Sequence, residues 1–256
     1  MKRILRLLLI ATQREILQWL AARSFLITLM INQAISPLLG LLVWSVALPG
    51  SSQITTYYVA LLLVQLLTVS YEDHTFSSSI YTGTLSQELL KPQPVVLVPL
   101  GTNIALRILH TLFGLPLIIG ASIVAGTAFD LRLLTLALPA LLLAAGLRFC
   151  FTYLLALSAF WSQKAFSIVA FGETLIFLLG GSAAPITLFP AGLRPLGEAL
   201  PFRAMLGFPA EIVSSSLNGA QILAGYGWQI LWLLACALAV LLTWRAGLRR
   251  YSSIGG

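Results

Sequence analysis

Charge is what this sequence has least of. Asp, Glu, Lys and Arg make up 9% of its 256 residues, against roughly 25% in a soluble domain. Hydrophobic residues make up 59%, and the mean hydropathy is +0.95. Such a chain cannot cover a soluble globule with polar surface, so the composition implies a polytopic helical membrane protein. Cysteine is scarce too. Cys150 and Cys236 both sit inside apolar runs, which leaves no disulfide framework and no metal-ligand spacing. The only lysines are Lys2, Lys91 and Lys164, followed by Arg, Pro and Ala. A P-loop needs Lys followed by Ser or Thr after a glycine loop, so no nucleotide site of that kind is present. The only histidines are His74 and His110. His74 lies beside Glu72 and Asp73, but no second cluster completes a metal site, and a solvated loop is the simpler reading. The net charge of +7 belongs with basic cytoplasmic loops rather than with nucleic acid.

What is present is a succession of apolar runs. Residues 1–24 begin like a signal peptide, but the apolar stretch is short and runs straight into Gln13, Arg14 and Glu15 without a small-residue cleavage site, so the segment is expected in the mature chain. Ile4, Leu5, Leu8, Ile16 and Trp19 share one side of a helical wheel, and Arg3, Arg6, Gln13 and Arg14 the other, with Leu7, Ile10 and Leu17 out of pattern. This predicts an interfacial helix on the cytoplasmic surface; a frayed basic tail is the alternative. The runs that follow predict spans near residues 25–48, 57–71, 108–125 (entered by a short interfacial piece from 95), 133–160, 165–181 and 228–244. The polar stretch 72–94 separates the second and third, and there Ile80, Leu85 and Leu89 read as one face of a short helix ended by Pro92.

Residues 182–225 do not read as a helix. The chain stays apolar after Gly180-Gly181 but carries Pro185, Pro190, Pro195, Pro201 and Pro209, each incompatible with a helix interior. Short broken pieces at a membrane face fit, and backbone of that kind must be buried in protein or line a cavity. Both ends of a six-span chain lie on one side. Eleven of the fifteen basic residues fall on that side, three on the other, and Arg148 inside a span. The excess places both termini in the cytoplasm, 72–94 inside and 182–225 outside. No two glycines have the GxxxG spacing.

Two intramembrane charges stand out. Arg148 lies ~24 Å from the outer turn and Glu173 ~14 Å from the cytoplasmic one at ~1.5 Å per residue. They read as a pair between adjacent antiparallel spans, with a structural salt bridge or a snorkelling arginine as the plainer reading. Gly181-Ser182 near an outer face invites a serine protease, but both histidines precede it and no base is placed to serve it.

In this order and spacing, the chain resembles the permease subunits of ABC-2 type transporters, closest to the bacterial branch that works beside a separate ATPase. Ile80-Tyr81-Thr82-Gly83-Thr84-Leu85 through Leu89-Leu90-Lys91-Pro92 is similar to that branch's cytoplasmic loop. Gly180-Gly181, Pro185, Phe189-Pro190, Leu200-Pro201-Phe202 and Pro209 are similar to its outer segment. Ala184 departs from the larger apolar residue expected before Pro185. The resemblance covers essentially the whole chain. It implies an all-α membrane protein, a single ABC-2 type transmembrane domain over residues 1–256. That domain would have six transmembrane helices, an N-terminal interfacial helix, a cytoplasmic coupling helix and a re-entrant outer segment before the last helix. It implies a transport subunit of the bacterial inner membrane, without its own nucleotide site or cofactor. ATP and Mg would be bound by a partner ATP-binding cassette subunit, and a second permease subunit, the same or related, would complete the pathway, most members being exporters. Ile80, Gly83, Leu85, Leu89, Lys91 and Pro92 would couple to the ATPase. Gly181, Pro185, Phe189, Pro190, Pro201, Phe202 and Pro209 would form an outer gate. An ion-gradient-driven carrier is the alternative. It would favour paired discontinuous helices and midplane carboxylates, of which the chain offers one broken region and Glu173.

Overall fold

The computed structural model describes residues 2–162 and 164–251, and among these every regular element is helical. α1 (Lys2–Ala21) breaks at Ala22 and gives way at once to α2 (Arg23–Ala47). α3 (Ser52–Leu67) returns to the short pair α4 (Glu72–Tyr81) and α5 (Leu85–Leu89). Next come α6 (Leu97–Val124), α7 (Leu131–Leu157, prolonged by a 3-10 turn at Ser158–Phe160) and α8 (Ala165–Leu179). A 3-10 turn at Ile186–Leu188 and three short helices, α9 (Arg194–Ala199), α10 (Pro201–Met205) and α11 (Gly207–Val213), precede α12 (Gly219–Arg250).

Four helices, α2, α6, α7 with its 3-10 turn, and α12, are long and apolar enough to cross a membrane. α3 and α8 have 16 and 15 residues, ~24 and ~22 Å at ~1.5 Å per residue, short of a hydrocarbon core of ~30 Å. For α3 the reason is its place. Tyr57, Tyr58, Val59, Ala60, Leu61 and Leu62 are all buried, enclosed by α2, α6, α7 and α11. A helix wrapped in protein need not match the thickness of the lipid.

Three expectations change. The third apolar run is not an interfacial piece plus a span but one helix of 28 residues. Pro99 falls in its first turn, where no intrahelical N–H is needed, and Pro116 is accommodated inside it. The last helix begins at Gly219, well before 228. The Asn218 side chain accepts from the Gln221 N–H and the Gln221 side chain accepts from the Asn218 N–H, a capping box that starts the helix early. α1 does not lie on lipid along its whole apolar face. It packs on α6, where Gly101 lets the two backbones approach at Ala11 and Thr12. Thr12 and Glu15 are buried there, and Ile16 and Trp19 join the cluster of Leu26, Leu29, Val69, Leu106 and Leu109. Ile4 and Leu5 remain exposed.

The bundle has two ends. At one, the α4–α5 hairpin meets the turn between α7 and α8 and the end of α12, with Tyr251 Oη donating to the Gly83 carbonyl at 3.2 Å. At the other, the end of α2 and the start of α3 meet the segment after α8, with Trp44 Nε1 donating to the Ala183 carbonyl at 2.9 Å.

Candidate functional site

At the hairpin end, residues 72–94 form two helices rather than one. Gly83 has φ +76°, a left-handed conformation that a side chain resists, and it divides α4 from α5. The break sends the expected face in two directions. Ile80 and Leu85 turn inward against Tyr153, Ala156, Leu157 and Ala165, and Leu85 is fully buried. Leu89 is 39% exposed and Leu90 87%. Lys91 is exposed, pairs with Glu88 at 2.6 Å, and is followed by the exposed Pro92. Leu89, Leu90, Lys91 and Pro92 therefore face outward together, while Ile80 and Leu85 cannot touch another chain directly. Tyr81 fixes the hairpin to the body: its Oη donates to the Ser162 carbonyl at 2.6 Å and accepts from the Ala165 N–H at 2.8 Å.

Behind the hairpin lies a buried polar cluster. Glu72 opens α4 and is 1% exposed. One carboxylate oxygen accepts from Asn103 Nδ2 of α6, the other from Thr152 Oγ1 of α7 at 2.9 Å. Arg107, one turn beyond Asn103, donates to the Val69 carbonyl (3.1 Å), Ser70 Oγ (3.2 Å) and the Ala145 carbonyl (2.7 Å). Arg107 was counted with the cytoplasmic side, at the foot of the span expected from 108; it lies ten residues into α6, ~15 Å along it. Arg148 is buried and reaches Thr68 Oγ1 at 3.2 Å and Gln33 Oε1 at 3.5 Å. Glu173 lies on the exposed side of α8. Burial pushes the Glu72 carboxyl up to about 7, against the lowering effects of its backbone hydrogen bond, Thr152, Asn103 and the Arg107 charge. The cluster binds α4 to α6 and α7 through hydrogen bonds, and Phe76 adds rings at 4.9 Å (Tyr153) and 6.2 Å (Trp244). The hairpin is thus tied directly to three long helices, α6, α7 and α12.

At the other end, the prolines act as helix starters. Pro195 and Pro201 stand in the first turns of α9 and α10, Pro209 follows Gly207 at the start of α11, and Pro185 precedes the 3-10 turn. Each missing N–H falls where no helix bond would use it. Carbonyls left over by the broken backbone take donors from α2, α3 and α12. Tyr57 Oη donates to Gly181 at 3.0 Å, Trp44 Nε1 and Tyr58 Oη to Ala183 at 2.9 and 3.3 Å, and Trp232 Nε1 to Ala199 at 2.8 Å. Gln229 Nε2 donates to both Ala140 (3.0 Å) and Ala204 (2.9 Å). This answers the requirement that irregular backbone at membrane depth be satisfied internally.

The residues expected at the outer gate are partly gathered by this arrangement. Gly181, Pro185, Pro201, Phe202 and Pro209 are buried; Phe189 is half-buried and Pro190 exposed. Gly181 has φ +97°, and a Cβ there would meet the Tyr57 hydroxyl, so it serves both the turn and the close approach. Phe202 stacks edge-on against Phe151 at 5.6 Å. Arg203 and Glu211 join α10 to α11 through hydrogen bonds of 3.2, 3.1 and 2.6 Å, with Arg203 also 5.8 Å from the Phe208 ring centre.

Sequence reasoning missed Glu72, Asn103, Arg107 and Glu211, and the donors Trp44, Tyr57, Tyr58, Gln229 and Trp232. A usable signal existed for the donors: aromatic residues with a polar tip, and one glutamine, inside otherwise apolar runs. Between α2 and α6 runs an apolar groove of about 630 Å³ lined by Ile27, Met30, Leu38 and Phe113, with Arg23 among its wall residues.

No curated protein and no solved structure matches the chain. A family model described as "ABC-2 family transporter protein" matches residues 17–255. That match takes in the hairpin, the buried cluster, the broken segment and all four long helices, which together make a multi-pass membrane component of a transporter. The chain belongs to the ABC-2 transporter family.

Proposed function

We propose that this chain is the permease subunit of an ABC-2 transporter, driven by a separate ATP-binding subunit and working as an exporter with a second permease subunit. The observation that carries the reading is the hairpin. It presents Leu89 and Leu90 outward from a stem tied to α6 and α7 by Glu72, which suits a surface that receives a push. In this reading the membrane is a bacterial inner membrane with both termini cytoplasmic. α3 and α8 complete six crossings despite their shortness, and ATP and Mg stay on the partner. The segment from Gly181 to Pro209 acts as the outer gate, and Arg148 and Glu173, on the packed helices α7 and α8, form the expected intramembrane pair. The cargo would be apolar or amphipathic, in keeping with the walls of the α2–α6 groove.

One observation favours a second reading. A buried carboxyl that titrates near neutrality, Glu72, suits a carrier driven by a proton gradient. Purification of the tagged chain from its native membrane in mild detergent, with mass spectrometry of bound proteins, separates the two. Stoichiometric recovery of an ATP-binding subunit supports the first reading; transport by the chain alone, driven by a pH gradient, would replace it. The hairpin supplies a sharper test. Leu90→Asp is expected to lower transport-coupled ATPase activity about tenfold, the loss for one docking anchor worth ~1.4 kcal/mol, with membrane level unchanged because Leu90 is exposed. Normal coupling in that variant would remove the docking role. Leu85→Asp is not a substitute, since it would bury a carboxylate in the core.

A further inference from the structure

Asn32 stands nine residues into α2, ~14 Å from its start at ~1.5 Å per residue, within a hydrocarbon layer of ~30 Å. Its side chain is exposed, and among the described residues no hydrogen bond holds it within the chain. A carboxamide directed into lipid has nothing to bond, and that costs free energy. The residues above and below it on the same stripe are Thr28, Ile35, Leu39, Leu42 and Val46. They follow one another at alternating steps of four and three, and every one is exposed. The stripe is ~27 Å long, the depth of the hydrocarbon layer. The buried residues of α2, Leu26, Leu29, Ala34 and Pro37, lie on another side, so the stripe is free of the chain's own packing.

Alternating three- and four-residue steps are the repeat by which two helices interlock, and in that repeat Asn32 takes the position at which a single asparagine sets register and favours a two-stranded pairing. Any stripe on an apolar helix is apolar; the asparagine distinguishes this one. Two copies of one chain inserted the same way run their α2 helices parallel. A two-fold axis along the membrane normal then sets Asn32 opposite itself. A carboxamide both donates and accepts, so the pair satisfies itself.

We propose that the second permease subunit is a second copy of this chain, and that the two copies meet along the Thr28–Val46 stripe of α2 with their Asn32 side chains hydrogen-bonded to each other. The proposal deepens the transporter reading and rests on its two-permease arrangement. Ile35 belongs both to the stripe and to the wall of the α2–α6 groove, so the partner copy would close one flank of that groove.

The test is disulfide cross-linking in native membranes. With Cys150 and Cys236 replaced by alanine, single cysteines are placed on the stripe (Thr28→Cys, Ile35→Cys, Leu39→Cys, Val46→Cys) and on neighbouring exposed positions off it (Ile27→Cys, Ser45→Cys). Oxidation is expected to give at least fivefold more covalent dimer at stripe positions than off it. Asn32→Leu should lower the yield at Ile35→Cys about fivefold, the scale of one hydrogen bond between membrane helices, and Asn32→Gln should restore part of it. Equal yields at all positions, as for a lipid-covered face, would overturn the interface. Two differently tagged copies that co-purify without this pattern would sink the stripe and leave the two-permease reading intact. Recovery of a related but different permease, and never of a second copy, would sink the homodimer. A chain that co-purifies with no permease at all would remove both.

Discussion

Replacing Glu211 by leucine will destabilise the protein by about 3–5 kcal/mol, the usual cost of leaving one member of a buried ion pair alone. The side chain of Glu211 is 1% exposed and that of Arg203 12%, and they meet at 2.6 Å. Removing the carboxylate leaves the largely buried guanidinium without its ion-pair partner, 5.8 Å from the Phe208 ring centre. A thermal melt in detergent should fall by roughly 10 °C, and trypsin should begin to cut after Arg203. The double change Arg203→Met with Glu211→Leu should recover most of the loss, because an apolar pair of similar volume carries no desolvated charge. A single variant that melts like the parent would show that the pair is open to water.

Wild-type stability will fall as pH rises through neutrality, and Glu72 will be the cause. The ordinary carboxyl value is 4.5 and the buried one about 7, so between these values the folded chain holds a proton that the unfolded chain has released. The stabilisation is complete below about 4.5 and is lost as pH climbs through 7. A shift of this size corresponds to a few kcal/mol, at ~1.4 kcal/mol for each tenfold change. Arg107 from α6 faces the carboxyl and opposes the trend, as do the hydrogen bonds from Asn103 and Thr152. Glu72→Gln keeps the acceptor for Asn103 but has no proton to lose. Melts at pH 5.5 and 8.5 should differ in the wild type and coincide in the variant. A wild type with equal melts, or a variant with the same slope, would place the titration elsewhere.

The outer break shows how much was legible. Its prolines carry their meaning locally, so short pieces after Gly181 could be read without any partner. The apolar runs likewise placed α2 and α7 to within a few residues, whereas α6 and α12 begin at Leu97 and Gly219, well before the expected 108 and 228. Gly83 was visible, but its positive φ and the resulting division of α4 from α5 depend on Leu85 packing inward against α7, which no local pattern encodes. Glu72 was hidden for a similar reason. In the sequence it sits in a polar stretch with Asp73 and His74 and resembles a solvated loop. It is buried because Asn103 and Thr152 reach it from 31 and 80 residues away. Arg107 was counted on the cytoplasmic side by charge alone, when three backbone and hydroxyl acceptors were waiting inside. Depth arithmetic placed Arg148 within the bilayer but could not name Thr68 or Gln33, whose approach depends on how α2 and α3 pack.

The carbonyls of Gly181 and Ala183 receive three hydroxyl or indole donors, from Trp44, Tyr57 and Tyr58. No covalent bond reinforces them. In the proposed reading of this segment as the outer gate, opening would break all three together and give up about 3 kcal/mol, at ~1 kcal/mol for each net hydrogen bond of this kind. A gate so fastened is expected to leak. Vesicles holding the chain without its motor should lose a trapped dye slowly, and faster with Trp44→Phe and Tyr57→Phe; tight vesicles in both cases would mean the fastening does not control passage. On that reading the same small number makes the closure usable, because a stroke worth a few kcal/mol would be enough to reverse it.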